Sequence, residues 1–566
     1  MHPASVLTKR QFGRKLRMKR DWKEQLGLAI SWLFITLRDG LGTEYPNADN
    51  VQNYNQLMTA AISHTARVLC LGTFIATSGA SFADDKVFEV DEVSRDGRVV
   101  NARFADFDGD GRKDLMVVTL AGIPPEDQRS IRIHLQDSDG SYPTDPSRVL
   151  QIPARSAVFD IADVKDTPGE ELVLLRPDAI TILSIANSEI VEWNIPAEGP
   201  STVAAAEDER GFDSYKLVYE MGSQPLILVP QIGLVSILTV DGTLMGQVDV
   251  GGRANYFVAP RPSIISVESD LQLYLDTPKL SIGDVDGDER ADIVAATRHE
   301  IRVFLRRPDG RFDREPSFTH ALRLTPPQDH ARGSGSVVST ARDVDDDGLL
   351  DLLITHAEGT FSDTVTTSYF YRNRDGRWDL GNPDDKFVSE GTLSSDLLLD
   401  IDGDGTDELI RIQFKFSVLE IVEILLTRKI DSVIAVHRLL PDGRFDTKPS
   451  SSRKFSTGIS FETFRPNGFM PQAGIDINAD GLMDVVTSAN GKGIEIYLGT
   501  EDEPFTRRTS KQKMTTTGRI HFADYNDDGL LDFVLFDPQS FDAPVQIGRN
   551  LGVLPMSGAV GTPPPE

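Results

Sequence analysis

The chain has 566 residues, with 58 Lys and Arg against 87 Asp and Glu, a formal charge of −29 at pH 7. A surface this acidic repels nucleic acid and anionic membranes and excludes both as partners. Hydrophobic residues at 39% are ample for one large core, and a lone cysteine, Cys70, leaves no disulfide to brace it.

Residues 1–57 form a basic N-terminal extension that opens with KRQFGRKLRMKRDWK. Its apolar run LGLAISWLFITL is shorter than the roughly 20 residues that span a bilayer. Residues 58–83 read as a secretory signal peptide: an apolar core follows Arg67, and Ser81-Phe82-Ala83 is an A-x-A-like site that places cleavage before Asp84. A start at Met58 gives that signal an ordinary length and is favoured over a translated extension. The mature chain then carries 48 basic against 82 acidic residues, a net charge of −34, and no segment long enough to cross a membrane. It is expected to be secreted, periplasmic or on the cell surface, as a monomer.

From residue 84 to 552 one acidic frame recurs. Its positions one, three, five, seven and nine are Asp106, Asp108, Asp110, Arg112 and Asp114 in the first copy, and Asp284, Asp286, Asp288, Arg290 and Asp292 in the next. Then come Asp343, Asp345, Asp347, Leu349 and Asp351, followed by Asp400, Asp402, Asp404, Thr406 and Glu408. The last two copies are Asp476, Asn478, Asp480, Leu482 and Asp484, and Asp524, Asn526, Asp528, Leu530 and Asp532. Carboxylates crowded at alternate positions repel one another unless a cation offsets the repulsion, and Ca2+ suits a set of six to eight oxygens. Up to six Ca2+ ions are therefore expected. An EF-hand is excluded, because position twelve is Val117, Ala295, Ile354, Arg411, Thr487 or Leu535 instead of Glu. Two departures bear on affinity. Asp288 is followed by Glu289 where Gly is expected, and Asn478 and Asn526 supply neutral oxygens.

Each loop runs into a short stretch rich in branched or aromatic residues, such as DLMVVTL, DIVAAT, DLLIT and DFVLF, which reads as a buried strand. The loops beginning at 284, 343 and 400 are 57 to 59 residues apart, and the interval from 106 to 284 is about three times that. Two degenerate units fill it: DVKDTPGEELVLL from Asp163, where Lys165 takes a ligand position, and the bare strand PLILV at Pro225 to Val229. Between the acidic loops lie DSDGSY, RPDGRFD, NRDGRWD and LPDGRFD, Asp-Gly hairpin turns that give each unit a second hairpin. Units of about four strands, eight by this count with seven the alternative, describe an all-β protein, a β-propeller preceded by a signal segment. The strand KVFEV at 86 to 90 belongs to no unit and is expected to complete the last blade. Residues 553–566 read as a flexible tail.

The D-x-D-G-D-G-x-x-D loops and PDGRFD turns together resemble the FG-GAP and VCBS repeats of integrin-α-like propellers, over about residues 100 to 550. The resemblance implies a calcium-braced propeller acting outside the cell as a non-catalytic ligand-binding or adhesion module for a glycan or protein. Some relatives cleave pectic polysaccharides, so a secreted lyase-like enzyme is the alternative, and a structural scaffold of an envelope assembly is another. The sequence has no HExxH, GxSxG or phosphate-cradling Gly loop, and nine His in all, so no catalytic residue is assigned. Candidate ligand contacts fall in the long loops on the face away from the acidic hairpins: Arg323, His330, Arg332, Phe464, Arg465 and Phe469, cationic and aromatic groups on an acidic protein.

Overall fold

The computed structural model describes residues 86–555 apart from short internal stretches, the longest being 203–211, 261–268 and 325–335. The basic extension and the signal segment lie outside the described residues.

Eight four-stranded antiparallel blades stand in a ring. They span residues 98–151, 158–196, 218–249, 279–321, 336–390, 392–460, 472–512 and 519–550 and are numbered 1 to 8 in that order. The second strand of each blade is mostly buried, and in blades 2, 7 and 8, as at Asp532–Phe536, it is buried along its whole length. Such a strand is covered on both faces, which is why these segments are continuously apolar with no alternation. The closest strand approaches between blades each involve a first strand, as where Lys279–Gly283 lies against Ser336–Arg342, so the first strands form the hub and the fourth strands the rim.

Eight hydrophobic clusters fill the eight seams. Phe159, Leu172 and Leu174 of blade 2 pack with Met116 and Val118 of blade 1, and Val534 and Phe536 of blade 8 pack with Leu115 and Val117 of blade 1 to close the circle. The expected closing strand is present. Phe88–Val93 pairs antiparallel with Val545–Asn550, from Phe88 opposite Asn550 to Val93 opposite Val545. Blade 8 thereby takes its rim strand from the start of the chain, and the ring is tied by backbone hydrogen bonds as well as by the core.

Several features of the described residues exceed the repeat, among them the short strand Arg465–Pro466 added to the rim of blade 6. A hairpin, Arg253–Pro260 with Ser269–Asp276, is inserted between blades 3 and 4. The short strand Asp213–Ser214 runs parallel to the hub strand of blade 2. The long sixth unit is explained by a helix, Val418–Thr427, set between the second and third strands of blade 6. Ser417 caps it by accepting the Glu420 N–H, and Arg428, in the left-handed region at φ 56°, ends it. Period and turn counting did not expose this helix, because its apolar composition resembles that of the strands on either side.

Candidate metal centres

All six acidic loops are connections between the first and second strands of a blade, and they fold through their own side chains. In blade 6 the Asp400 carboxylate accepts the Gly403 N–H at 2.8 Å on one oxygen and the Gly405 N–H at 3.0 Å on the other. Asp404 accepts the Thr406 N–H at 2.8 Å. The seventh residues Arg112, Arg290, Leu349, Leu482 and Leu530 repeat this bond to their own position-five carboxylates. Turning the chain this tightly puts positions four and six at positive φ, 72° and 91° at Gly403 and Gly405. At blade 4 the sixth position is Glu289, held at φ 63° where a Cβ is unfavourable.

Position nine has a second duty that its place in the frame did not reveal. Asp114 accepts the Phe107 N–H at 3.0 Å and the Gln136 N–H at 2.9 Å, joining the loop to the end of the third strand. Asp292, Asp484 and Asp532 do the same with Val285 and Arg306, Ile477 and Gly499, and Tyr525 and Asn550. Burial, the largest influence, pushes these carboxyls up, to about 6 at Asp114 and Asp292 and to about 7 at Asp351, Glu408, Asp484 and Asp532. The neighbouring loop carboxylates push the same way.

The donor set suits a hard divalent cation. One oxygen each from Asp106, Asp108 and Asp114 lies within 4.8 Å of the others, and the same holds for Asp284, Asp286 and Asp292, for Asp343, Asp345 and Asp347, and for Asp400, Asp402 and Asp404. Within these loops Asp345 Oδ1, Asp402 Oδ1 and Asp351 Oδ2 are buried without a hydrogen-bond partner, and so is Asn478 Oδ1 in blade 7. A buried oxygen of this kind costs on the order of 1–3 kcal/mol, more when charged, unless something ligates it. Calcium fits that need.

Blades 2 and 3 depart as the sequence indicated. Glu171 keeps the position-nine role in blade 2, accepting the N–H groups of Val164 and Lys165. At position three the Lys165 ammonium donates to the Val240 carbonyl of blade 3 at 2.6 Å and lies 3.4 Å from Asp241. A tethered cation stands where the six acidic loops have Asp or Asn. Blade 3 passes from Val218–Glu220 to Pro225–Gln231 with no acidic residue between the strands.

Neighbouring loops are also linked to one another. The Leu350 N–H of blade 5 donates to the Asp284 carbonyl of blade 4, Asp407 of blade 6 to Val344 of blade 5, and Met483 of blade 7 to Ile401 of blade 6. Side-chain amides at the turn heads add further links. Asn373 donates to the Val285 carbonyl, Asn550 to Ile477, and Gln136 to Tyr525 across the closing seam. Sequence reasoning passed over these amides, although Asn373 heads the NRDGRWD turn.

The second-to-third-strand connections and the inter-blade connections lie on the opposite face. Arg323 and Arg465 are exposed there. Phe469 is 5% exposed and packs with Ile477, Ile494 and Phe88 in the seam between blades 7 and 8, so its ring is not available to a ligand. His330, Arg332 and Phe464 lie outside the described residues.

The family model described as FG-GAP-like repeat matches residues 284–354 and 476–535, which hold the acidic loops of blades 4, 5, 7 and 8. No curated protein matches the chain in sequence. Among solved structures, the V. cholerae biofilm matrix protein Bap1 is similar over 70% of this chain and 81% of its own, at 10% identity and a TM-score of 0.25. A candidate 6-phosphogluconolactonase from Bacteroides uniformis is similar over 68% of this chain and 92% of its own, at 14% identity and a TM-score of 0.32. The chain thus carries FG-GAP-like repeats in two places within an eight-bladed β-propeller.

Proposed function

We propose that this protein is an exported, calcium-braced β-propeller that serves as a non-catalytic interaction module, with a glycan or protein ligand on the face opposite the acidic loops. The observation that carries the calcium reading is the set of buried, unpartnered oxygens on Asp345, Asp351 and Asp402, inside loops whose carboxylates converge, together with the one on Asn478 in blade 7. Six loops would hold one ion each through positions one, three, five and nine, with backbone oxygen from position seven. Calcium supplies charge compensation there and no reaction step. What the residues themselves do is hold the turns, join each loop to the third strand and tie blade to blade.

The binding reading rests on how unequal the two faces are. The acidic face is committed to turns, staples and inter-loop hydrogen bonds. The opposite face carries the inserted helix, with Leu426 68% exposed, together with Arg323 and Arg465. Cationic and apolar groups exposed together on an acidic protein favour a defined ligand over general charge attraction. Among the described residues no helix is long and apolar enough to cross a membrane.

Calcium-loaded residues 84–566 tested on a glycan array and in pull-downs from extracellular material, beside the double variant Arg323→Ala/Arg465→Ala, would check this. Retention of a ligand by the parent chain and its loss in the variant is the expected result. Equal retention by both would remove this face from the proposal, and release of unsaturated sugars from pectin would replace binding with catalysis.

A further inference from the structure

Position three is held differently around the ring. In blade 5 the Arg372 guanidinium, just past the third strand, pairs through Nη2 with Asp345 Oδ2, and Asp345 Oδ1 is left buried and unpartnered. Blade 6 repeats this with Arg438, whose Nη2 lies 3.5 Å from Asp402 Oδ2 while Asp402 Oδ1 is left buried and unpartnered. In blade 7 the Asn478 amide donates to the Pro555 carbonyl at 2.7 Å and to Asp480 at 2.8 Å, again with Oδ1 buried and unpartnered. Blades 1 and 8 are different. Asp108 Oδ1 accepts the Asp110 N–H at 3.2 Å, and Asn526 Oδ1 accepts the Asp528 N–H at 3.1 Å, so there the oxygen serves its own loop.

Resting on the calcium reading, we propose that Arg372 and Arg438 are positioning residues for calcium in blades 5 and 6, each fixing one oxygen of the position-three aspartate so that the other is aimed at the ion. A cation beside a cation site should weaken it by simple Coulomb repulsion. Here the guanidinium pairs with one oxygen and leaves the other buried and open to the ion, so orientation of the ligand outweighs the repulsion. Partners that orient metal ligands are commonly worth about 10-fold or more in metal affinity. Blades 5 and 6 therefore fill at lower calcium than blades 1 and 8. The Pro555 carbonyl plays the same part in blade 7, through a residue that the sequence assigned to a flexible tail.

The test is calcium titration by calorimetry, with ion counts from native mass spectrometry at each calcium level, on residues 84–566 and on Arg372→Met/Arg438→Met and Arg372→Lys/Arg438→Lys. The methionine pair is expected to shift two of the ions to calcium concentrations about 10-fold higher, and the lysine pair to recover part of the loss because it can still reach Asp345 and Asp402. Unchanged or tighter binding in the methionine pair would overturn the proposal and leave the guanidiniums as ordinary ion pairs. A parent chain that takes up no calcium would overturn the calcium reading itself, an outcome visible before any variant is made. A single cooperative thermal transition in chelator shows that the variants fold, at a midpoint lowered by the loss of the two ion pairs.

Discussion

Blades 2 and 6 solve one electrostatic problem in two ways. Both turn from first to second strand through a loop whose position-nine carboxylate, Glu171 or Glu408, accepts backbone N–H groups. In blade 6 position three is Asp402 and the loop gathers negative charge, which on the proposed reading a calcium ion from solution offsets. In blade 2 position three is Lys165, and its ammonium reaches across the seam to the Val240 carbonyl of blade 3. The cation in that loop is covalently attached. The comparison shows that the frame is first a turn and a strand staple, and on the proposed calcium reading metal dependence is added or removed at one position.

The largest effect that would sharpen this contrast is regional loss of protection when calcium is chelated. Hydrogen exchange should rise in blades 1 and 4 to 8 and much less in the loops of blades 2 and 3, and a uniform rise around the ring would break the distinction. Next is Asp484→Ala. It removes the buried acceptor of the Ile477 and Gly499 N–H groups and is expected to cost about 2–4 kcal/mol with or without calcium. A loss seen only with calcium present would make position nine a ligand and nothing more.

The pH dependence follows from the same group. In the metal-free fold the position-nine carboxyls are raised, to about 7 at Asp351, Glu408, Asp484 and Asp532. Their contribution to stability is full below about pH 4, the ordinary carboxylate range, and is lost as pH rises through 7. Calcium binds the ionised form and reverses this slope, so the calcium-induced rise in Tm should be larger at pH 8 than at pH 5.5. An equal rise at both would exclude these carboxyls from the ion's shell.

Two smaller changes complete the comparison. Lys165→Met removes a charged hydrogen bond at the seam of blades 2 and 3 and should cost about 1.5–3 kcal/mol, the same in calcium and in chelator. A calcium-dependent cost would tie blade 2 to the metal system after all. Glu289→Gly relieves a left-handed residue in blade 4 and should stabilise the protein by about 1 kcal/mol in thermal unfolding. Destabilisation would show that the Glu289 side chain has a use of its own.

Much of this protein is legible in its residues. The spacing of Asp106, Asp284, Asp343, Asp400, Asp476 and Asp524, with the degenerate copy at Asp163 and the strand at Pro225, counts the blades, because each repeat must bury its faces against a neighbour and therefore repeats its hydrophobic pattern. The closing strand at Phe88 to Val93 is legible for the same reason: a ring of open-edged sheets leaves one strand to be supplied. The acidic frame and its failure in blades 2 and 3 are equally local, since the spacing of carboxylates within nine residues is a property of the turn.

What only the tertiary structure decided depends on groups far apart in the chain. That Phe469 faces the core and not a ligand, that Arg372 and Arg438 pair with position three, that Gln136 bonds the Tyr525 carbonyl 389 residues away, and that Pro555 reaches Asn478 are outcomes of how strands and blades pack. The nine-residue frame does not encode them, because each joins a side chain to a partner outside its own loop, within the blade for Arg372 and Arg438 and across a seam for the others.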